Sequence, residues 1–303
     1  MRILIVGAGA TGGYFGARLA QAGRDVTFLV RERRHQQLQQ FGLVLQTPES
    51  TEILRPQWLQ AAELTTSFDL IILSVKSFAL EQALQDIVPA VGEETLILPL
   101  LNGMRHLDLL RARFGDHRVL GGMCKIHATL GDQGEIIQLS RLHQLYFGTL
   151  DNRDDPRLAQ VEEALRTPQF DLFPSADIIT ELWEKWLLLS TLGAVTCLAR
   201  GNTQQVLRSE GGEALLQALF SEILSVITAD GYRPRPAVTA GIYQWLNNPE
   251  TAMTSSMYRD LTQGYRIEAD QIIGDLLHRA RRNGLSTPLL NAVYVNLQVY
   301  QQG

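Results

Sequence analysis

Two cysteines in 303 residues, Cys124 and Cys197, are too few and too far apart for a disulfide framework or a thiolate metal site. They read as two buried thiols of a reducing compartment, and no metal is expected. An excess of positive charge is also missing: 27 Lys and Arg stand against 32 Asp and Glu, a formal net charge of −5. That balance excludes a nucleic acid or an anionic membrane as the principal partner. No apolar run reaches the roughly 20 residues that a membrane-crossing helix needs. The one candidate, Trp186 to Ala199, is too short and follows Glu184 and Lys185, so it reads as a buried helix. The first apolar stretch is broken by glycines and continues as a fold element, unlike a secretion signal. Repeats and low-complexity tracts are absent. What remains is a cytoplasmic globular chain, 45% apolar and 19% charged, long enough for two domains.

The chain is organised around its start, where Ile3 to Val6 form an apolar run suited to a central parallel strand. Gly7, Gly9 and Gly12 follow at once, with Ala10 and Thr11 between them, and Tyr14 to Ala22 reads as a helix. In this spacing the first glycine allows a tight turn, the second admits a pyrophosphate and the third lets helix and strand pack closely. Free N–H groups at the helix start would face the phosphates. Val26 to Val30 is the second strand, and Arg31-Glu32-Arg33-Arg34 follows it. A carboxylate there suits the ribose of NAD, and an arginine suits the 2′-phosphate of NADP. Arg31 at the strand end and the local positive charge favour NADP(H), with Glu32 facing solvent.

Gly42 to Ile53 suggests a hairpin. Phe68 to Val75 and Thr95 to Leu101 are further buried strands that deliver Lys76 and Asn102-Gly103 to the ligand-binding edge. Strands and turns over 117–148 are expected to continue the same sheet, with a helix at Pro156 to Leu165 and a closing strand at Phe170 to Phe173. From Ser175 the chain turns helical: a long, apolar central helix over Ile178 to Cys197, then helices near 210–230, 235–247, 258–281 and 286–301. The fold class is therefore α/β: a Rossmann-type dinucleotide-binding domain over 1–174, then an all-α domain over 175–303.

Several motifs occur together in order: G-A-G-A-T-G-G at the start, S-V-K-S (Ser74 to Ser77), L-N-G-M (Leu101 to Met104), W-E-K (Trp183 to Lys185), S-S-M-Y-R-D (Ser255 to Asp260) and I-E-A-D (Ile267 to Asp270). Over nearly its whole length the sequence resembles the ketopantoate reductase family, NADPH-dependent 2-dehydropantoate 2-reductases. The resemblance implies that Lys185 is the general acid that protonates the keto oxygen and that Glu268 binds the nascent hydroxyl. It implies that Ser256 holds the substrate carboxylate, that Asn102 and Lys76 line the junction of nicotinamide and substrate, and that Arg31 meets the 2′-phosphate. The site would lie in the cleft between domains, and the partner is a small 2-oxo acid. The apolar helix can pack within one chain or across a homodimer.

Elementary chemistry agrees with the lysine: hydride transfer to a ketone leaves an alkoxide, which needs a proton donor within hydrogen-bond reach. On position alone, Lys185 also suits a side chain snorkelling at the edge of an apolar stretch. Leu189 and Gly193 stand where family members carry substrate-binding asparagines, which points to a paralogue acting on a less polar 2-oxo acid or ketone. A non-catalytic NADP-binding sensor is a third reading. An opine- or hydroxyacid-type dehydrogenase is disfavoured, because His127 and His143 form no His-Asp relay and read as structural.

Overall fold

The computed structural model describes residues 1–303, which group into two units: Met1–Leu101 with His106–Ile179, and Asn102–Arg105 with Thr180–Gly303. The first unit contains β1 (Arg2–Val6), β2 (Asp25–Leu29), β3 (Leu43–Gln46), β4 (Thr51–Leu54), β5 (Gln57–Leu59), β6 (Phe68–Leu73), β7 (Val91–Pro99), β8 (Leu120–Leu130), β9 (Ile136–Thr149) and β10 (Asp171–Pro174). Its helices are α1 (Ala10–Gln21), α2 (Glu32–Phe41), α3 (Leu80–Asp86), α4 (Arg105–Phe114, whose first residue groups with the second unit) and α5 (Arg157–Leu165).

Five strands form an all-parallel sheet in the order β5-β2-β1-β6-β7. Such a sheet is covered on both faces, hence the unbroken apolar run: Ile3, Leu4 and Ile5 are fully buried. The register decides what meets at the carboxyl edge. Val6 pairs with Leu29 and Leu73, Leu29 with Leu59, and Leu73 with Pro99. The residues that begin the functional loops, Gly7, Val30, Gln60, Ser74 and Leu100, therefore stand level with one another.

The strands over 117–148 do not continue this sheet, as their sequence suggested. β8 and β9 are a long antiparallel hairpin in a second sheet, ordered β10-β9-β3-β4 with β8 on β9, and only an isolated Ile97–Val119 bridge links them to the first. The reason lies in α1, which is buried from Gly12 to Leu19. A helix buried all round needs a cover on the side away from its sheet. Gly13 admits that cover: a Cβ there would fall 2.5 Å from Ile136 Cδ1 of β9. Phe15 meets Phe170 edge-on at 5.1 Å, and the Tyr14 hydroxyl bonds His143 Nδ1 at 2.7 Å. Burial lowers the His143 pKa from its usual value.

The second unit is helical: α6 (Ile178–Ala199, whose first two residues group with the first unit), α7 (Thr203–Leu207), α8 (Gly212–Ala229), α9 (Pro236–Leu246), α10 (Ser256–Thr262), a π-turn over Asp270–Gly274, α11 (Asp275–Arg282) and α12 (Pro288–Gln302). The single helix expected over 258–281 is thus broken. Gly264 has φ +73°, which ends α10, and the chain resumes only at the π-turn. By length and composition α8 could cross a membrane; its Leu216, Leu219, Ile223, Val226 and Ile227 are buried within this protein.

An ion-pair network locks α11 to the end of α8. Arg279 bonds Asp230 and Asp275, Arg282 bonds Asp230, and the Arg279 guanidinium lies over the Trp183 and Trp186 rings at 5.1 and 5.6 Å. Burial pushes the Asp230 carboxyl up, but hydrogen bonds from Arg279, Arg282 and Asn283 outweigh it and hold the carboxyl below its usual range. Removing Arg279 leaves two acids short of a cation, and Arg279→Leu should cost about 3–5 kcal/mol in urea unfolding at pH 7. The Asp230 contribution is complete above the unfolded carboxylate pKa of about 4 and is lost as pH falls through the lower folded value. The gap between wild type and variant should therefore narrow in acid; a gap that widens would contradict this account.

Candidate active site

The three motif glycines meet three different constraints. Gly7 has φ +96°, a region that L side chains rarely adopt. A Cβ on Gly12 would lie 1.9 Å from Ser74 Oγ and 2.3 Å from the Gly7 carbonyl, so the start of α1 rests against the backbone of the β1 loop and the Ser74 side chain of the β6 loop. A Cβ on Gly9 would meet nothing within 4 Å. The protein's own packing therefore does not require glycine at 9, and a ligand approaching that backbone would. α1 begins at Ala10, earlier than the sequence suggested, so Ala10, Thr11 and Gly12 form its first turn, with no acidic residue among them. Their N–H groups have no intrahelical acceptor and lie at the positive end of the helix. Such a helix start offers the backbone donors that a dinucleotide pyrophosphate needs.

Beside the cradle, Arg31 caps the start of α2 with extended backbone and an exposed side chain. Glu32 is exposed and accepts one hydrogen bond from Gln36 Nε2 and one from Gln60 Nε2, each 2.6 Å. The amides of Gln60 and Gln36 hold its carboxyl below the usual range. Arg34 is structural: it donates to the Gly134 carbonyl at 2.6 Å. Lys76 is exposed just past β6, at the start of a short 3-10 turn. Ser74, two residues earlier, donates to the Gly7 carbonyl at 3.0 Å and fixes the loop that Gly12 packs on.

The other candidates belong to the helical unit. Lys185 is half-buried on α6, between the buried Glu184 and Trp186. Glu184 is committed elsewhere, since Arg235 donates to it from its backbone N–H at 2.9 Å and its Nε at 2.8 Å. Trp186 Nε1 donates to the Ile272 carbonyl at 3.1 Å, and the Ile272 N–H donates to the Glu268 carbonyl at 3.0 Å. The turn of α6 that carries Lys185 is thereby pinned to the turn that begins at Glu268, itself only 8% exposed.

Asn102 groups with these helices: its carbonyl accepts from Gln271 Nε2 at 2.9 Å, and a Cβ on its neighbour Gly103 would strike the Gln271 carbonyl at 2.7 Å. Of the two serines before α10, Ser255 is the buried one. Its hydroxyl caps Tyr258 N–H at 3.0 Å and bonds Thr196, while Ser256 is exposed as the first helical residue. Gly193 is buried, and a Cβ there would lie 2.9 Å from Met257 Cε.

Sequence reasoning missed Trp186, Gln271, Gln36 and Gln60. An indole beside the lysine signalled only core, and Gln60 follows a three-residue strand too short to recognise. Cys197 is buried, its thiol pushed up to about 12 by that burial, and takes no part.

The family model for ketopantoate reductase PanE/ApbA matches residues 3–152, and that for its C-terminal part matches 177–301. An uncharacterized oxidoreductase of Bacillus subtilis, YkpB, is 36% identical over 301 residues, 99% of either chain. A 2-dehydropantoate 2-reductase of Streptococcus pyogenes is 27% identical over 95% of this chain and 94% of its own. The structure of a PanE/ApbA family ketopantoate reductase from Ralstonia eutropha has the same fold, with a TM-score of 0.89 at 24% identity, covering 100% of this chain and 99% of the other. With both halves of the family pattern matched in order along one chain, the protein belongs to the ketopantoate reductase family of oxidoreductases.

Proposed function

We propose that the protein reduces a small 2-oxo acid with NADPH, ketopantoate to pantoate being the first substrate to test. The observation that supports this most is the tether from Trp186 to Ile272, which joins the Lys185 turn of α6 to the Glu268 turn. The bound nicotinamide would supply hydride to the keto carbon. In this reading the Gly9–Gly12 backbone holds the pyrophosphate and Arg31 meets the 2′-phosphate. Lys185 Nζ gives its proton to the keto oxygen, and Glu268 accepts a hydrogen bond from the hydroxyl formed there. Ser256 Oγ, Asn102 and Lys76 would orient the acid and the reacting end of the cofactor. Because Arg235 occupies Glu184, the carboxylate next to Lys185 in sequence does not compete for its ammonium.

A second reading, a less polar 2-oxo acid, is favoured by one observation: Met257 Cε lies 2.9 Å from where a side chain at 193 would begin. Together with Leu189, this gives a methyl-rich stretch at the positions where the family resemblance implies substrate-binding amides. NADPH oxidation against a panel of 2-oxo acids tests both. Highest kcat/KM for ketopantoate supports the first, and roughly tenfold or greater preference for an aliphatic 2-oxo acid lacking the hydroxyl supports the second. No oxidation with any member, while nucleotide still binds, would leave a non-catalytic sensor and sink the reductase reading.

A further inference from the structure

On the dinucleotide reading above, we infer that Gln60, with Gln36, sets the preference of this protein for a 2′-phosphorylated nucleotide by occupying both carboxylate oxygens of Glu32. The fold creates the arrangement. β5 lies next to β2 in the sheet, Leu29 pairs with Leu59, and the Val30 N–H donates to the Leu59 carbonyl at 3.0 Å. The loop after β5 therefore runs beside the loop after β2, where an adenosine ribose is bound in this class of fold. Gln60 Nε2 reaches Glu32 Oε2 and Gln36 Nε2 reaches Oε1, each at 2.6 Å.

An ionised acid at this edge ordinarily accepts the ribose 2′-hydroxyl of NADH and repels the 2′-phosphate of NADPH. Here a 2′-hydroxyl would have to compete with an amide N–H already in place. Arg31 and Arg33 flank Glu32 with exposed side chains that carry no ion pair, whereas Arg34 is committed to Gly134. The net field at the loop is positive, and the one acid in it is tied down. Gln60 is itself held through its backbone: its carbonyl accepts from the Glu63 N–H at 3.0 Å, and its own N–H donates to Glu63 Oε2 at 2.7 Å. The backbone from which the amide reaches Glu32 is thus fixed.

The test is the ratio of dissociation constants for NADH and NADPH, read from quenching of tryptophan fluorescence in the full chain without turnover. Wild type should favour NADPH. Gln60→Leu frees one oxygen of Glu32 and should lower that preference roughly tenfold, the scale of one hydrogen bond to a charged group. Gln36→Leu, which leaves the turn after β5 untouched, should act in the same direction. In a Glu32→Gln background Gln60→Leu should have no effect, a result that a merely structural role would not give. The inference is overturned if both glutamine variants leave the ratio within twofold, if the Gln60 effect persists without Glu32, or if wild type prefers NADH. Binding of neither nucleotide to wild type removes the dinucleotide reading and this inference together. Tight binding with an unmoved ratio removes only the role of the glutamines.

Discussion

Lys185→Met should lower kcat with the best 2-oxo acid by about a thousandfold, within the range that a positioned general acid contributes. That corresponds to about 4 kcal/mol of transition-state stabilisation. Methionine keeps the length and apolar stem of the lysine, so the half-buried site between Glu184 and Trp186 stays filled. Glu184 keeps its bonds to Arg235, and Trp186 keeps its bond to Ile272, so α6 and the Glu268 turn should stay together. The loss should therefore appear in kcat, with nucleotide affinity within twofold of wild type. An interaction made only as the alkoxide forms has this signature, whereas one that merely binds substrate raises KM alone. Steady-state NADPH oxidation and a fluorescence titration separate the two. Turnover within threefold of wild type would take Lys185 out of the mechanism.

Gly12→Ala and Gly9→Ala should fail in opposite ways, although the two glycines share one motif. At Gly12 the new methyl would sit 2.3 Å from the Gly7 carbonyl, a backbone atom that cannot swing aside. Relief needs the start of α1 to move off the loop that follows β1, and fully buried core on both sides of α1 resists that. We expect about 3 kcal/mol or more of destabilisation in urea unfolding. At Gly9 the methyl meets no protein atom, and φ is −84°, which alanine adopts freely. Stability should change by less than about 1 kcal/mol, while nucleotide affinity falls by roughly tenfold or more, because the methyl fills the space the pyrophosphate would use. Unaltered nucleotide affinity in Gly9→Ala would place the phosphates elsewhere. A Gly12→Ala protein as stable as wild type would contradict the packing described here.

Much of this is legible in the sequence alone, and the reason is locality. The glycine spacing, the apolar strand before it and the helix after it constrain one another within the first two dozen residues. The strand ends expected at Val30, Val75 and Leu101 fall at Leu29, Leu73 and Pro99, within two residues, because buried parallel strands are continuous apolar runs. Less was legible where the signal was non-local. β5 is three residues long, and nothing in Gln57-Trp58-Leu59 announces that it will pair with β2 and carry Gln60 to Glu32. The hairpin of β8 and β9 alternates like any antiparallel pair, so its sequence does not say which sheet it joins. That choice was made by Gly13, which lets Ile136 approach α1. The break after α10 was hidden because Tyr265 to Asp270 keeps helical composition while Gly264 takes positive φ.

By itself, then, the sequence determined the element types, the glycine turn and the order of the family motifs, since each depends on residues close together in the chain. The tertiary structure alone decided which acid is tied by amides, which of two adjacent serines is a buried cap, and which indole ties the Lys185 turn to the Glu268 turn. Those outcomes depend on pairings between residues tens of positions apart, and register and burial select such pairings only once the chain is folded.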